Sequence, residues 1–274
     1  MADPLPERVD GDARPAPRAA LLRGRRPSKR WRYVGVFAED VVACATVARI
    51  AGAPQWTWTI WDRRARTLST ATGFVRAPVR AGDDALRVRG GAGTRVDLEL
   101  RVAAPPVTVT SPHGGAWIWT RKTPVHARGT ILAAGRAIDV DAPGLVDDSV
   151  GFHARHTRWW WSAGAGTTPG GAAVWWNLVD GMHDAPRGSE RTVWVDGVAR
   201  EPGPATFGPD LAEVRGADGE RLAFRAEAER ARRDDLLVVA SDLRQPMGTF
   251  SGTLPGDVAL AAGVGVVERH EARW

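Results

Sequence analysis

One cysteine, one asparagine, one tyrosine and two lysines are all that this 274-residue chain contains of those residue types. The single cysteine, Cys44, excludes a disulfide framework and a cysteine-based metal site. No uninterrupted apolar stretch approaches the roughly 20 residues of a membrane-spanning helix, so no transmembrane segment is expected. Residues 1–17 are charged and proline-rich, with no apolar core of a secretory signal, and the expected location is the cytoplasm of a bacterium. A sustained amphipathic helix is missing too. Only residues 226–233 have helical propensity; that stretch is short and polar, and is expected to be a strand end and loop.

Two nucleotide-enzyme and hydrolase signals are likewise absent. The segment Gly248-Thr249-Phe250-Ser251-Gly252 lacks the spacing of a nucleophile elbow. The glycine-rich residues 164–171 lie between two strand patterns, where they read as a hairpin loop and not as a phosphate cradle. His153 and His156 stand three apart, a spacing that puts them on opposite faces of a strand; no metal and no cofactor is expected.

The charge balance, 37 basic against 32 acidic residues, is +5. The basic residues are 35 arginines with only Lys29 and Lys122, a bias of the kind nucleotide composition produces, so high basicity argues weakly for nucleic acid. The basic run of residues 23–32 reads as a solvated entry to the first strand, with contact to nucleic acid or anionic lipid as its alternative. No nucleic-acid partner is expected. Where lysine and asparagine are so rare, those that remain are favoured as residues kept for their chemistry.

Strand patterns are abundant. Residues 94–102 alternate Val96, Leu98, Leu100 and Val102 with Arg95, Asp97, Glu99 and Arg101, an antiparallel strand with one wet face. Turn signals recur at Gly82-Asp83, Gly90-Gly91, Asp196-Gly197 and Asp218-Gly219. About sixteen strand-like runs in this length suit an all-β protein of two antiparallel β-barrels or strongly bent sheets in tandem. The expected division is a flexible lead over residues 1–28, one barrel over 29–140 and a second over 141–274, with the break near Pro143-Gly144. No residue-level repeat between the halves is visible.

An ordered series of motifs runs along the chain: Lys29-Arg30-Trp31-Arg32-Tyr33, Thr120-Arg121-Lys122, Asp147-Asp148-Ser149 and Gly151-Phe152-His153-Ala154-Arg155-His156-Thr157. It continues with Asn177-Leu178-Val179-Asp180-Gly181, Ser189-Glu190-Arg191-Thr192-Val193-Trp194, Gln245-Pro246-Met247-Gly248 and the terminal strand of residues 265–274. The series resembles the domain of unknown function 2804 family. More distantly, the arrangement is similar to the tandem lipocalin-like proteins related to carotenoid hydratases and tocopherol cyclases. The resemblance implies two lipocalin-like barrels and chemistry on long apolar polyenes. Those relatives open their second half with an acid-bearing aromatic segment; the stretch here, Trp159-Trp160-Trp161-Ser162-Ala163-Gly164, carries no acid.

Thirteen tryptophans stand against one tyrosine. A buried indole removes about 150–250 Å² from water, roughly 4–6 kcal/mol gross at about 25 cal/mol per Å². These tryptophans read as barrel core or, for Trp119, Trp159, Trp161 and Trp175, as the lining of a ligand cavity. Arg121 and Lys122 read as strand-end charges or as inward cations, and Glu190 as a strand-edge acid or a cavity carboxylate. His156 and Asn177 are further ligand-binding candidates. In the last strand, Val264, Val266, Glu268, His270, Ala272 and Trp274 share one face, and Val267, Arg269, Glu271 and Arg273 share the charged one. Glu268 and His270 are thus carried inward, and an inward carboxylate and imidazole are costly unless paired or used. The expected function is binding of an apolar small molecule, a lipid, isoprenoid or polyketide, in a Trp-lined cavity. The alternative is a cofactor-free lyase or isomerase (a hydratase or cyclase) in which Glu268 protonates a polyene and His270 orients it.

Overall fold

In a computed structural model of the protein, residues 6–11, 16–17, 19–75, 77–236 and 239–273 are described. They are all-β, with no helix among them. Two large antiparallel sheets account for most of the chain. The first has its strands in the order Thr67–Gly73, Ala53–Asp62, Val41–Ile50, Lys29–Phe37, Arg136–Gly151, Ala116–Ala133, Arg95–Val102, Ala85–Arg89 and Val79–Ala81. Two additional strands extend it, Val107–His113 beside Ala116–Ala133 and Glu7–Asp10 beside Val107–His113. The second sheet runs Val198–Arg200, Thr192–Val195, Ala173–Asp180, His156–Thr167, Val258–Arg273, Val239–Leu254, Arg221–Leu236, Glu213–Gly216 and Ala205–Phe207.

Leaving the additions aside, both sheets have one topology. The first four strands of the unit lie side by side in order; the ninth returns beside the first, and the remaining four step away on its other side. The repeat invisible in the residues is therefore present in the strand order. Period-two alternation explains why it persists, since a sheet of this kind asks only for apolar residues at every second position.

Each sheet curls around its own core. In the first, Val34, Val36, Ile60, Leu86, Leu98 and Ile131 belong to a mostly aliphatic cluster. Val96, Leu98 and Leu100 point into it as expected, whereas Val102 at the strand end is exposed. In the second, Trp176, Leu178, Phe224, Phe250 and Val267 fill the interior, with the Phe250 ring 4.9 Å from Trp176 and 4.5 Å from Phe224. A third cluster joins the two halves. Tyr33, Phe37, Val42, Trp61 and Leu145 of the first sheet pack with Trp161, Ala163, Trp175, Met247 and Val266 of the second.

Several expectations are revised. The strand Arg136–Gly151 runs unbroken through Pro143-Gly144, and the chain passes from one sheet to the other between Gly151 and His156. The described residues form 22 strands, because many are only two to four residues long. Residues 226–233 lie inside the long strand Arg221–Leu236, held by its ladder to Val239–Leu254. Gly164 and Gly166 belong to the strand His156–Thr167 and not to the hairpin loop, which is shorter. A Cβ on Gly164 would run into the Trp176 indole, so glycine there is what lets that ring lie flat across the strand. Part of the expected loose lead is structured: Glu7–Asp10 joins the first sheet, and Arg8 Nη1 donates to the carbonyls of Ser189 and Arg191 in the second half.

Candidate functional site

Between the faces of the two sheets that look toward each other lies a cavity of about 470 Å³, partly open to solvent. It lies between the barrels and not within one. Alternation settles which residues reach it. From the first sheet come Lys29, Trp31 and Tyr33 of one strand, Thr120 and Lys122 of another, and Asp147. From the second come Trp159 and Trp161, then Gln245, Glu268 and His270, with Arg230 nearby on the next strand. Trp56 and Phe74 complete the apolar wall.

Each sheet contributes one carboxyl group from the same place in its topology. In the first, Asp147 on the ninth strand of the unit lies opposite Tyr33 on the first strand and Lys122 on the eighth. In the second, Glu268 on the ninth strand lies opposite Trp161 on the first, and Gln245 of the eighth bonds to it. Tyr33 and Trp161, the two residues facing the acids, meet edge to face at 5.1 Å.

The surroundings of the acids differ. Glu268 accepts hydrogen bonds from Trp159 Nε1 at 3.1 Å and from Gln245 Nε2 at 2.7 Å. Its side chain is 14% exposed. Burial pushes its carboxyl up to about 7, against the opposing pull of Arg230 and of these two hydrogen bonds. Turning the Gln245 amide over would let its oxygen accept the proton of the neutral acid, so the same pair serves both protonation states. His270 stands 3.9 Å from Glu268, packs its ring against Trp159 at 4.4 Å with the planes tilted by 54°, and shares a 2.9 Å hydrogen bond with Ser241. Burial, with Lys29 and Arg230, lowers the His270 imidazole to about 3, so it is neutral at ordinary pH.

Asp147 instead faces a cation. Lys122 Nζ, 2% exposed, lies 2.6 Å from Asp147 Oδ1 and 3.3 Å from Glu190 Oε2. Burial works against the ammonium, but the two carboxylates outweigh it and hold Lys122 above its usual value. Burial also raises Asp147, with Lys122 opposing. Asp148, the next residue, points the other way and is clamped by Arg32 and Arg121.

Six of the residues singled out from the sequence line the cavity: Lys122, Trp159, Trp161, Glu190, Glu268 and His270. Five do not. Arg121 follows Lys122 directly, so it takes the opposite face of the strand, where its guanidinium covers the Trp119 ring at 5.8 Å. His156 shares parity with Trp160, away from the cavity, and bonds Glu271 at 2.7 Å. Trp175 packs in the core between the sheets. Asn177 sits behind the wall, accepting from Trp161 Nε1 at 2.7 Å and donating to the Glu190 carbonyl at 2.9 Å.

The last strand follows the expected register, but its second face is not simply wet. Val267 is fully buried in the second interior, Arg269 and Glu271 are half-buried in ion pairs, and Arg273 is exposed. Trp274 lies outside the described residues.

Reasoning from sequence passed over Tyr33, Arg230, Gln245 and His183 as site residues, and named Asp147 only as part of the motif Asp147-Asp148-Ser149. One signal was available. Both lysines, the one tyrosine and both glutamines (Gln55 and Gln245) border this cavity, and the one asparagine supports it.

Among the described residues, no group of three or more His, Cys, Asp or Glu side chains is placed to hold a metal ion. No helix among them is long and apolar enough to cross a membrane.

Among solved structures, a protein assigned as AttH from Nitrosomonas europaea superimposes with a TM-score of 0.51 at 14% identity, over 94% of this chain and 98% of that one. Kievitone hydratase from Nectria haematococca gives 0.49 at 12% identity over 88% of each chain, and CghA 0.44 at 12% identity over 98% of each. Of these three, the first supports the tandem barrel-like fold, and none speaks for the activity. No curated protein sequence matches the chain. The family model described as Domain of unknown function (DUF2804) matches residues 79–274, and the chain belongs to that family.

Proposed function

We propose that the cavity between the two sheets binds an apolar small molecule, of the lipid, isoprenoid or polyketide class. The observation that supports this best is its wall of rings, with Trp31, Tyr33 and Trp56 from one sheet and Trp159 and Trp161 from the other. Its volume falls in the range of about 300–1,000 Å³ that small-molecule sites occupy. Rings of this kind offer large apolar faces with little rotamer entropy to lose. Organic extraction of the purified protein, followed by mass spectrometry, tests the reading. An apolar compound should be released from the wild type and lost from Ala48→Phe, which fills the cavity wall. Identical extracts from both proteins would rule it out.

A second reading, a cofactor-free lyase or isomerase, is favoured by the Glu268 carboxyl standing near neutrality against an aromatic wall. Protonation of a carbon–carbon double bond by Glu268 would leave a carboxylate and a carbocation, which the faces of Trp159 and Trp161 stabilise by cation–π attraction. Return of a proton from an adjacent carbon to Glu268 would complete an isomerisation and restore the acid. Neutral His270 would orient the carboxyl. Glu268→Gln should then abolish turnover of the extracted compound and leave its binding intact; a carrier would lose nothing.

A further inference from the structure

We infer that the end of the cavity around Lys122, Asp147 and Glu190 is a second polar subsite, which takes a neutral hydroxyl group of the ligand. This rests on the apolar-ligand reading above and names what that ligand carries.

The observation behind it is a set of buried polar atoms with nothing to bond. Both ring nitrogens of His183, on a side chain in a residue only 9% exposed, lack a hydrogen-bond partner. So does Thr120 Oγ1, and Glu190 Oε2 has only the 3.3 Å ionic approach of Lys122. All three residues border the cavity. Buried polar groups are nearly always paired, and three orphans converging on one end of a cavity mark a place where a ligand supplies the partners.

His183 is held in place by its backbone. It adopts φ +57°, in the left-handed region, and its carbonyl accepts from the Glu190 amide at 3.1 Å. The loop thus ties His183 to Glu190. Burial, with Lys122 and His113 beside it, lowers the His183 imidazole to about 3, so the ring offers one donor and one acceptor.

The charges select the ligand group. Lys122 already faces two carboxylates, so an incoming carboxylate or phosphate would meet one cation and two anions in a buried place. An ammonium would have to lie against Lys122. A hydroxyl both donates and accepts, which matches the neutral imidazole, the Thr120 hydroxyl and the free lone pairs of Glu190. Glu268 and Gln245 form the other polar station of the same cavity, so the ligand is an apolar body with a hydroxyl set toward Lys122.

Binding of four probes to the full chain, followed by tryptophan fluorescence at pH 7.5, tests this. The probes are farnesol, farnesyl methyl ether, farnesoic acid and farnesylamine. The alcohol should bind about tenfold tighter than the ether, as expected for one well-made buried hydrogen bond, and tighter than the acid and the amine. In Thr120→Val and in His183→Phe the alcohol-to-ether ratio should fall toward one, with the ether's own affinity changed less than about threefold. Thr120→Val keeps the side-chain shape, so it serves if His183→Phe does not fold. Tightest binding by the acid or the amine would overturn the inference, as would a ratio unchanged in the variants. Equal binding of alcohol and ether to the wild type would sink the subsite and leave the apolar reading standing; no binding of any probe would sink both.

Discussion

In the first sheet the ninth strand of the unit carries Asp147 between Lys122 and Tyr33; in the second it carries Glu268 beside Gln245 and Trp161. One topological position has become two different acids. Burial raises both acids, but a lysine neighbour draws the first back toward the anion, while the second has only an amide and an indole beside it. The interiors diverge as well: Trp58 is the one buried aromatic residue of the first cluster, whereas the second contains Trp176, Phe224 and Phe250. Both interiors are packed with side chains, so the space for a ligand arises where the two outer faces meet. A duplicated sheet thus provides two matching walls, and the residues on them are free to specialise.

The sharpest way to break this comparison is to remove the partner of each acid. Lys122→Met leaves Asp147 and Glu190 buried without their cation and should cost about 3–5 kcal/mol in chemical denaturation at pH 7.5. Gln245→Met should cost only about 1–2 kcal/mol, since Glu268 keeps the Trp159 bond and can take up a proton. Equal losses would mean that the two acids are alike.

The pH dependence of Glu268→Gln comes next. Glu268 has a folded value near 7 against an ordinary 4.5, so below 4.5 the acid is protonated in both states. As pH rises from 4.5 to 7 the unfolded chain ionises first, and the wild type loses stability relative to the variant until the folded carboxyl ionises too. The stability difference should move in favour of Glu268→Gln by up to about 3 kcal/mol between pH 4 and pH 8. His270 acts in the opposite sense in both proteins. Its contribution is complete above 6.5 and is lost as pH falls through about 3.

A smaller effect distinguishes the interiors. Gly164→Ala drives a methyl into the Trp176 ring and the Val264 carbonyl and should cost about 1–3 kcal/mol, visible as a lowered Tm. The smallest concerns parity. His156→Ala removes a partly exposed pair on the face turned from the cavity and should change stability by less than about 0.5 kcal/mol and farnesol affinity not at all.

The all-β class, the strands around Val96 and Leu98 and the inward register of Glu268 and His270 were legible because alternation has a period of two and a one-residue slip would move every side chain. The same rule, applied to Arg121 and Lys122 together, would have shown that only one could face a cavity. What the sequence hid was long-range. That Lys122 meets Glu190, or that Trp159 meets His270, depends on segments far apart in the chain, and no local pattern encodes it. The duplication was hidden because equivalent positions hold different residues, Lys122 against Gln245 and Tyr33 against Trp161, so no residue identity marks it.

Carboxyl carbon NMR of the side chains, with Glu268→Gln and Asp147→Asn used for assignment, tests the division of labour most directly. Glu268 should titrate near 7, as a buried acid held by Trp159 and Gln245. A midpoint close to 4.5, the value of a solvated glutamate, would contradict the account.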